Sequence, residues 1–267
     1  MNALKQPTPD LPVALTIATS DSGAGAGIQA DLLTFAARHV FGVTAQVALT
    51  AQNPSGVSSI AQLEPDFIRD QLNQLFAWFH IRAIKTGMLF SKENIELIAL
   101  YLKTQPDIPL VIDPVMVSTS GAVLLQPDAI HALTEQLFPL ATLITPNLDE
   151  AATLLGKPIQ SREEMHLAGE ALARQFNTAF LMKGGHLQDE IQLIDSLHRP
   201  GKEPIVFKHD RIPNINTHGS GCTLSAAITA ELAKDHYLEA AVSNGITYLE
   251  TSIKNPLYLN GEAFIAH

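Results

Sequence analysis

A glycine-rich segment late in the chain contains its single cysteine. Residues 217–223 read Thr-His-Gly-Ser-Gly-Cys-Thr and run directly into a helix-like stretch of small residues. Glycines allow a tight turn whose backbone N–H groups converge, and a helix N-terminus adds about half a unit of positive charge. Such a cradle suits a phosphate group, or the charge that develops on one during transfer. We also expect the helix start to lower the pKa of the Cys222 thiol below its free value of about 8.5.

Two alternatives compete with a phosphate-site role for Cys222. Buried cysteines are usually small apolar fillers. A hydrolase nucleophile is the other alternative, with His186, His198 or His218 as base, although no sequence feature pairs any of them with Cys222. The flanking glycines and the helix start favour phosphate binding, although the P-loop pattern G-x-x-x-x-G-K-[ST] occurs nowhere in the chain.

Two acids and a lysine could serve the phosphate side of such a site. Glu150 follows Asn147 by three residues at a strand-to-helix junction, and Asp113 and Lys183 each stand at the end of an apolar run. Mg²⁺ takes one or two carboxylates plus phosphate oxygens and water, which Asp113 and Glu150 could satisfy. Lys183 could bind phosphate as a point charge. The alternatives are a capping box for Asn147 and Glu150, and an ordinary surface position for Lys183.

A second glycine loop lies near the start of the chain. Residues 25–30 satisfy the dinucleotide pattern G-x-G-x-x-A. That fold needs an acidic residue about 20 positions later to hold the ribose, and there is none between Asp31 and Glu64. The loop is therefore interpreted as a close approach of backbone to a small ligand. Asp31 could hydrogen-bond that ligand, or it could be a solvated helix position.

The elements that must position these residues alternate between short apolar strands and helices. We predict strands at 13–18, 44–50, 81–85, 110–112, 142–144 and 179–182, and helices at 27–37, 65–80, 91–104, 127–138, 149–155 and 161–176. This alternation predicts right-handed βαβ units and a mostly parallel sheet. The runs 191–198 and 205–208 lack a helix between them, so they predict a small antiparallel edge, and helices return from Cys222.

The carboxyl ends of these strands meet polar or glycine-rich residues. Ligands of open α/β sheets bind at that edge, so we expect the groups to converge there. Each one alone also fits ordinary turn chemistry. The segments are 21–23, 52–53, 85–87, 113–114, 147 and 183–185.

Composition excludes several classes of protein. The 267 residues carry 17 Lys+Arg and 27 Asp+Glu, and this acidic balance argues against nucleic-acid or membrane partners. One cysteine excludes an internal disulfide framework. We expect one domain over 1–267 with a flexible extension at 1–11, no signal peptide or membrane span, and a cytoplasmic location.

Several separated motifs together resemble the ribokinase-like superfamily, and more narrowly the hydroxymethylpyrimidine/phosphomethylpyrimidine kinases of thiamine biosynthesis. Most members of the superfamily have a Gly-x-Gly-Asp motif here, with Asp at the position of Cys222. Cysteine at this position is typical of the pyrimidine kinases and some pyridoxal kinases. The resemblance implies a three-layer α/β/α fold and ATP-dependent phosphorylation of a pyrimidine alcohol and then of its monophosphate. The matching segments are 15–35, 48–53, 84–89, 111–116, 143–151, 181–186 and 216–228.

The resemblance also implies roles on the acceptor side. Cys222 would stand beside the acceptor hydroxyl, and the amides of Gly219, Ser220 and Gly221 would form an anion hole. Gln52 would hydrogen-bond the aminopyrimidine edge with Asp31 nearby. The pocket lining would be Ala26, Met88 and Val115.

On the donor side, the resemblance places Asn147, Lys183 and Thr217 along ATP. Asp113 and Glu150 would hold Mg²⁺, partly through water. A homodimer is also implied by the family.

Two segments depart from the family pattern. Thr19 stands where the family often has glycine and could narrow the pyrimidine pocket, and residues 188–194 differ after the glycine pair. Pyridoxal kinase is the nearest alternative function, because its substrate is likewise a small heteroaromatic ring with a hydroxymethyl group. A non-catalytic pyrimidine-sensing module and a dinucleotide oxidoreductase are alternatives of other classes.

Overall fold

The computed structural model describes residues 10–116, 125, 127–185, 192–213 and 215–267. Most of the expected N-terminal extension, His186 and residues 188–191 therefore lie outside the described residues. The strands are β1 Val13–Asp21, β2 Phe41–Asn53, β3 Gly56–Gln62, β4 Ile81–Thr86, β5 Leu110–Ile112, β6 Leu143–Ile144, β7 Ala179–Lys183, β8 Gln192–Arg199, β9 Lys202–Asp210, β10 Leu257–Leu259 and β11 Glu262–Phe264. The α-helices are α1 Gly27–Ala37, α2 Pro65–Trp78, α3 Lys92–Leu102, α4 Pro127–Ala132, α5 Leu148–Leu155, α6 Arg162–Phe176, α7 Ser220–Ala233 and α8 Leu238–Lys254.

Nine strands form one sheet in the order β3-β2-β1-β4-β5-β6-β7-β8-β9. The six strands from β2 to β7 in this order pair in parallel. The hairpin β2–β3 and the ladder β7–β8–β9 are antiparallel edges. The predicted mostly parallel sheet with an antiparallel edge is therefore confirmed, and β10 and β11 add a separate antiparallel pair.

Helices cover both faces of the sheet, which makes three layers. Alternate side chains of a strand point to opposite faces, so Leu15 and Ile17 pack among α2, α3 and α6, whereas Ala14 packs on the other side. That second face carries α1, α7 and α8, and small residues such as Ala83 let α7 lie close to β4. This close packing brings the N-terminus of α7 to the carboxyl edge of the sheet.

The predicted bounds hold best where the chain is buried. Helix 27–37 and strand 110–112 have their predicted ends, whereas β2 is longer than predicted, starting at Phe41 and ending at Asn53. The predicted helix 127–138 is wrong in its second half, because the chain changes to a π-helical turn at Leu133–Leu137. Strand β3, exposed at every position, was missed, as were β10 and β11. No helix in the described ranges is long and apolar enough to cross a membrane.

Candidate active site

A cavity of about 520 Å³ opens at the carboxyl edge of the parallel strands. Residues at or just after the ends of β1, β2, β4, β5, β6 and β7 line it, as sheets of this class require. It also receives the N-terminus of α7. The predicted site residues found in its wall are Ala26, Gln52, Met88, Asp113, Val115, Asn147, Glu150, Lys183, Thr217, Gly219, Ser220, Gly221 and Cys222. Among the predicted site residues, only Asp31 lies outside the wall.

The two glycine loops predicted from sequence contact each other. Gly219 has φ +84°, and a Cβ there would collide with the carbonyl oxygen of Gly25. Gly27 has φ +60°, and its Cβ would meet the Thr19 carbonyl oxygen. Only glycine tolerates such backbone approaches and positive φ values without strain. The first loop is therefore glycine-rich to let two backbone segments touch, as well as to face a ligand.

The thiol of Cys222 lies in the first turn of α7 and is half-buried. The N-cap residue is Gly219, so the helix start has no side-chain cap. The amide of Ser220 donates to the Thr217 carbonyl at 3.0 Å, which commits one of the expected anion-hole amides to the turn. The amides that follow in the first turn of a helix have no partner four residues back.

The expected low pKa of Cys222 is wrong. Burial raises the pKa of the thiol to about 11, against the lowering effects of the Lys85 ammonium and the Gly27 amide. Asp31 and Asp113 raise it further. The effect of the helix start is therefore outweighed by desolvation and by nearby carboxylates.

Asp31 is fully buried behind the cavity, so the alternative of a solvated helix position is wrong. Its Oδ1 accepts from Lys85 Nζ at 2.7 Å and its Oδ2 accepts from Thr16 Oγ1 at 2.6 Å. Lys85 is fully buried as well, and it is among the residues that line the cavity. Sequence reasoning placed Lys85 at a strand end but missed its pairing with Asp31, because the two residues are 54 positions apart in the chain.

Asp113, Lys183 and Glu150 form a charged cluster in the cavity wall. Lys183 Nζ lies 3.2 Å from Asp113 Oδ1, and Ser225 donates to Asp113 Oδ2 at 3.3 Å. Burial and the neighbouring Asp113 charge raise the pKa of the Glu150 carboxyl, while Lys183 opposes them. The surface alternative for Lys183 is wrong, because only 16% of its side chain is exposed.

The capping-box interpretation of Asn147 and Glu150 is confirmed. The Asn147 N–H donates to Glu150 Oε2 at 2.8 Å, and the Glu150 N–H donates to Asn147 Oδ1 at 2.9 Å. Both residues also line the cavity, so the cap and a ligand role are compatible.

The oxygen atoms of Asp113 and Glu150 suit a hard cation. Two acids facing one cavity, with a raised pKa on one of them, would be relieved by a divalent ion between them. Among the described residues, no group of three or more acidic, His or Cys side chains could hold a metal. An Mg²⁺ ion here would therefore need phosphate oxygens and water to complete its shell.

Gln52 meets a histidine that sequence reasoning did not place. Gln52 Nε2 lies 3.2 Å from His218 Nε2, and both line the cavity. Asp21 holds the first glycine loop by accepting from Gly23 N at 2.8 Å and from Ala26 N at 2.9 Å. The pKa of the Asp21 carboxyl is lowered by His218 and these two amides, which together outweigh the opposing effect of burial. The His218 side chain thus belongs to the Gln52 end of the cavity.

Of the histidines considered as hydrolase bases, His198 and His218 have other partners, and His186 lies outside the described residues. His198 is buried on β8, where its Nε2 lies 2.9 Å from Ser196 Oγ. Its surroundings lower its pKa to about 4, mainly by burial. It is therefore a neutral core histidine, and the contacts of His218 lie with Gln52.

The far end of the cavity was also missed by sequence reasoning. It is lined by apolar side chains of α8 together with buried polar groups of β8 and β9. Asp195 accepts from the Gly184 N–H at 2.9 Å and lies 3.7 Å from His209 Nε2. Asp195 therefore fixes the backbone directly after Lys183.

Comparisons with known proteins agree on one family. A family model described as phosphomethylpyrimidine kinase matches residues 21–266. A hydroxymethylpyrimidine/phosphomethylpyrimidine kinase of Rhizobium meliloti is 45% identical over 242 residues, covering 90% of this chain and 90% of the relative. A thiamine biosynthetic bifunctional enzyme of Arabidopsis thaliana is 43% identical over 244 residues, covering 91% of this chain and 47% of that protein.

A solved structure is similar over nearly the whole chain. It is an ADP complex of Bacillus subtilis pyridoxal kinase, with a TM-score of 0.89 and 37% identity, covering 97% of this chain and 98% of that one. This likeness confirms the expected ribokinase-like fold.

Proposed function

Because the chain belongs to the phosphomethylpyrimidine kinase family, we propose that this cavity transfers the γ-phosphoryl group of ATP to 4-amino-5-hydroxymethyl-2-methylpyrimidine. The monophosphate is then phosphorylated to the diphosphate at the same site, as a step of thiamine biosynthesis. The observation that carries the proposal is the shared cavity of Cys222, Asp113, Lys183 and Gln52. A thiol, a phosphate-side cluster and a ring-binding amide meet there from four distant segments.

On the acceptor side, Gln52 binds the aminopyrimidine edge, and the hydroxymethyl group points to Cys222. Ala26, Met88 and Val115 enclose the ring, since all three line the cavity. Asp31 acts only indirectly, because Lys85 and Thr16 occupy its two oxygens.

On the donor side, Asn147, Lys183 and Thr217 lie along ATP, and the ammonium of Lys183 meets a phosphate oxygen. Asp113 and Glu150 would hold Mg²⁺, which supplies charge neutralisation on the phosphates when bound. The amides of residues 219–221 face the transferred group, with Ser220 contributing least because its N–H donates to Thr217.

In the transfer step the hydroxymethyl oxygen forms a bond to the γ-phosphorus, and the bond from that phosphorus to the β–γ bridging oxygen breaks. ADP leaves with the electron pair of the broken bond. The hydroxyl proton passes to the Cys222 sulfur, which must be a thiolate to accept it. Positioning and charge stabilisation supply most of the rate enhancement in such transfers.

Pyridoxal kinase activity is the second candidate function. The likeness to the Bacillus subtilis pyridoxal kinase favours it, because pyridoxal is also a small heteroaromatic ring with a hydroxymethyl group. Thr19 bears on the choice: its hydroxyl donates to the Met88 carbonyl at 3.0 Å, and both residues line the cavity. The Thr19 methyl group therefore occupies space beside the ring, which favours the smaller pyrimidine.

The test measures ADP release with hydroxymethylpyrimidine, its monophosphate and pyridoxal side by side. We expect kcat/KM for the pyrimidine to exceed that for pyridoxal at least tenfold. A Thr19→Gly variant should narrow that ratio, whereas Thr247→Gly on the exposed face of α8 is the matched control. A higher kcat/KM for pyridoxal would overturn the pyrimidine assignment, and absence of ADP with every acceptor would favour a sensing module.

Assembly and location remain predictions. We propose a homodimer through the exposed β2–β3 edge, where Leu49, Val57 and Ile60 present apolar side chains to solvent. We also propose one domain over 1–267, because both core clusters pack on the same sheet. A cytoplasmic location accords with the proposed use of ATP.

A further inference from the structure

A lysine–aspartate ion pair is buried completely beneath the cavity. Lys85 Nζ lies 2.7 Å from Asp31 Oδ1, and both side chains are fully buried. Thr16 Oγ1 donates to the second Asp31 oxygen at 2.6 Å. Removing two ions from water costs several kcal/mol each, and an apolar pair of similar volume is often at least as stable. A buried pair that lines a reaction cavity therefore invites a role beyond stability.

One member of this pair lines the cavity and the other does not. Lys85 is the penultimate residue of β4, against which α7 packs, and it lines the same cavity as Cys222. A Cβ on Gly87 would lie 3.4 Å from Lys85 Nζ, so the ammonium reaches the backbone that follows β4. Asp31 is not among the residues that line the cavity.

Five groups from four parts of the fold act on the thiol. Lys85 of β4 is the strongest charge that lowers the pKa of Cys222, and the Gly27 amide of α1 acts in the same direction. Asp31 of α1 and Asp113 after β5 raise it. Lys183 of β7 is also close enough to interact with the sulfur. Lys85 is thus the main counter-charge available to a thiolate.

We propose that Lys85 is a positioning residue for phosphoryl transfer, whose ammonium, oriented by Asp31, stabilises negative charge on the Cys222 sulfur. The thiolate so favoured takes the proton of the acceptor hydroxyl, and Lys85 keeps its own protons throughout. The carboxylate neighbours raise the pKa of Lys85, so its charge persists across the working pH range. This inference rests on the proposed function, because it concerns how Lys85 stabilises the charged form of Cys222, the base of that reaction.

Lys85 lowers the pKa of the Cys222 thiol and Asp31 raises it. Substitutions of the two residues can therefore distinguish an electrostatic role of the pair from a purely structural one. Replacing Lys85 by methionine removes the stabilising cation and should raise the thiol pKa. Replacing Asp31 by asparagine removes an anion and should lower it. A purely structural pair would shift the thiol in the same direction in both variants, because each one loosens the same contact.

The experiment uses the single cysteine of the full chain as its own probe. The rate of iodoacetamide alkylation is measured against pH without substrate, with folding checked by circular dichroism. For Lys85→Met we expect a thiol pKa about one unit higher, equivalent to about tenfold less thiolate below the pKa. For Asp31→Asn we expect a downward shift. Lys234→Met, at the other end of α7, is the matched control and should leave the thiol pKa unchanged.

A kinetic measurement completes the test. Lys85→Met should lower kcat about tenfold with the KM for ATP unchanged. If a single variant does not fold, the double variant Lys85→Met/Asp31→Asn, which leaves no unpaired charge, should show a smaller upward shift of the thiol pKa. The proposal would be overturned if the thiol pKa did not change in the two single variants, or if it moved in the same direction in both. An absence of an upward shift of the thiol pKa in the double variant would overturn it as well. Alkylation needs no turnover, so this failure is distinct from an absence of kinase activity.

Discussion

Helix α7 carries charged clusters at both ends, and their electrostatics are opposite. At its C-terminal end Glu231 is nearly completely buried and accepts from Arg38, Lys234, His236 and Asn244. These donors outweigh burial and hold the pKa of Glu231 at about 2. The cluster ties the end of α1 to α7 and α8.

At the N-terminal end of the same helix, the pKa values of two carboxyl groups are raised instead of lowered. Burial and the charge of Asp113 raise the pKa of Glu150, and burial raises that of Asp31 despite its contacts. The charge of Glu231 is matched by donors and holds helices together, so its pKa is lowered. Glu150 at the cavity carries a burial penalty instead, which a bound cation would relieve. Groups with pKa values raised by burial and like charge often mark functional sites.

The largest effect should come from Cys222→Ala. Removing a general base typically costs about 10²–10⁴-fold in rate, so kcat should fall by that order while ATP binding persists. Stopped ADP-release assays and nucleotide titration measure the two quantities. An unchanged kcat would remove Cys222 from the chemistry.

Asp113→Asn should break the cavity cluster while sparing the fold. We expect kcat to fall about 100-fold, because one charged ligand for the phosphate-side cation is lost. The free energy of unfolding should fall by about 1 kcal/mol, because Lys183 Nζ loses its acceptor at 3.2 Å but keeps the nearby Glu150 charge. Urea unfolding without nucleotide measures this, and a large loss of stability with intact kcat would contradict the account.

Glu231→Gln should give the opposite pattern. The change leaves three basic groups around a neutral amide, so unfolding should require roughly 2 to 3 kcal/mol less. The kcat of the folded variant should match the wild type, because Glu231 is absent from the cavity wall. Urea denaturation and ADP release report the two quantities, and a lowered kcat would show that the two ends of α7 are coupled.

The pH dependence of stability should also differ in sign between the two ends. The folded pKa of Glu231 lies below its ordinary 4.5, so its contribution is complete above pH 4.5 and is lost as the pH falls toward 2. The folded pKa of Glu150 is raised, so its ionisation penalty disappears as the pH falls from neutrality. Relative to Glu231→Gln the wild type should lose stability on acidification, and relative to Glu150→Gln it should gain. The free energy of unfolding is measured with urea at several pH values. If its difference between wild type and variant had the same slope against pH for both variants, this prediction would be refuted.

The smallest effect is expected for Gln52→Ala. Loss of a hydrogen bond to a neutral ring should raise the pyrimidine KM about tenfold, equivalent to about 1.4 kcal/mol. The KM for ATP should stay constant, because Gln52 lies at the acceptor end. Initial rates at varied pyrimidine concentration test it, and an unaltered pyrimidine KM would exclude Gln52 from ring recognition.

Local patterns were sufficient for much of the fold. The bounds of α1 and the junction at Asn147 follow from apolar spacing and capping chemistry, and the alternation of elements predicts the parallel sheet. Strand β3 escaped because each of its residues is exposed, so no buried face leaves a pattern in the sequence. The π-helical turn at Leu133–Leu137 depends on tertiary packing, which a helical period cannot reveal.

The site was predictable as a set of strand ends, but its electrostatics were not. Gln52 and His218 are 166 positions apart, and Lys85 and Asp31 are 54 apart. Only the folded chain shows that Lys85 forms an ion pair with Asp31. Only the folded chain shows that burial raises the pKa of Cys222, where a lower pKa was expected. Long-range pairing and desolvation are properties of the assembled cavity.

The central claim is that one cavity phosphorylates the pyrimidine twice with Cys222 beside the acceptor. The direct measurement is a ³¹P NMR time course of ATP and hydroxymethylpyrimidine with the wild type and Cys222→Ala. We predict a pyrimidine phosphomonoester signal that gives way to a diphosphate in the wild type, with both steps greatly slowed in the variant. Formation of ADP without any phosphorylated pyrimidine, or equal rates in the two proteins, would contradict the account.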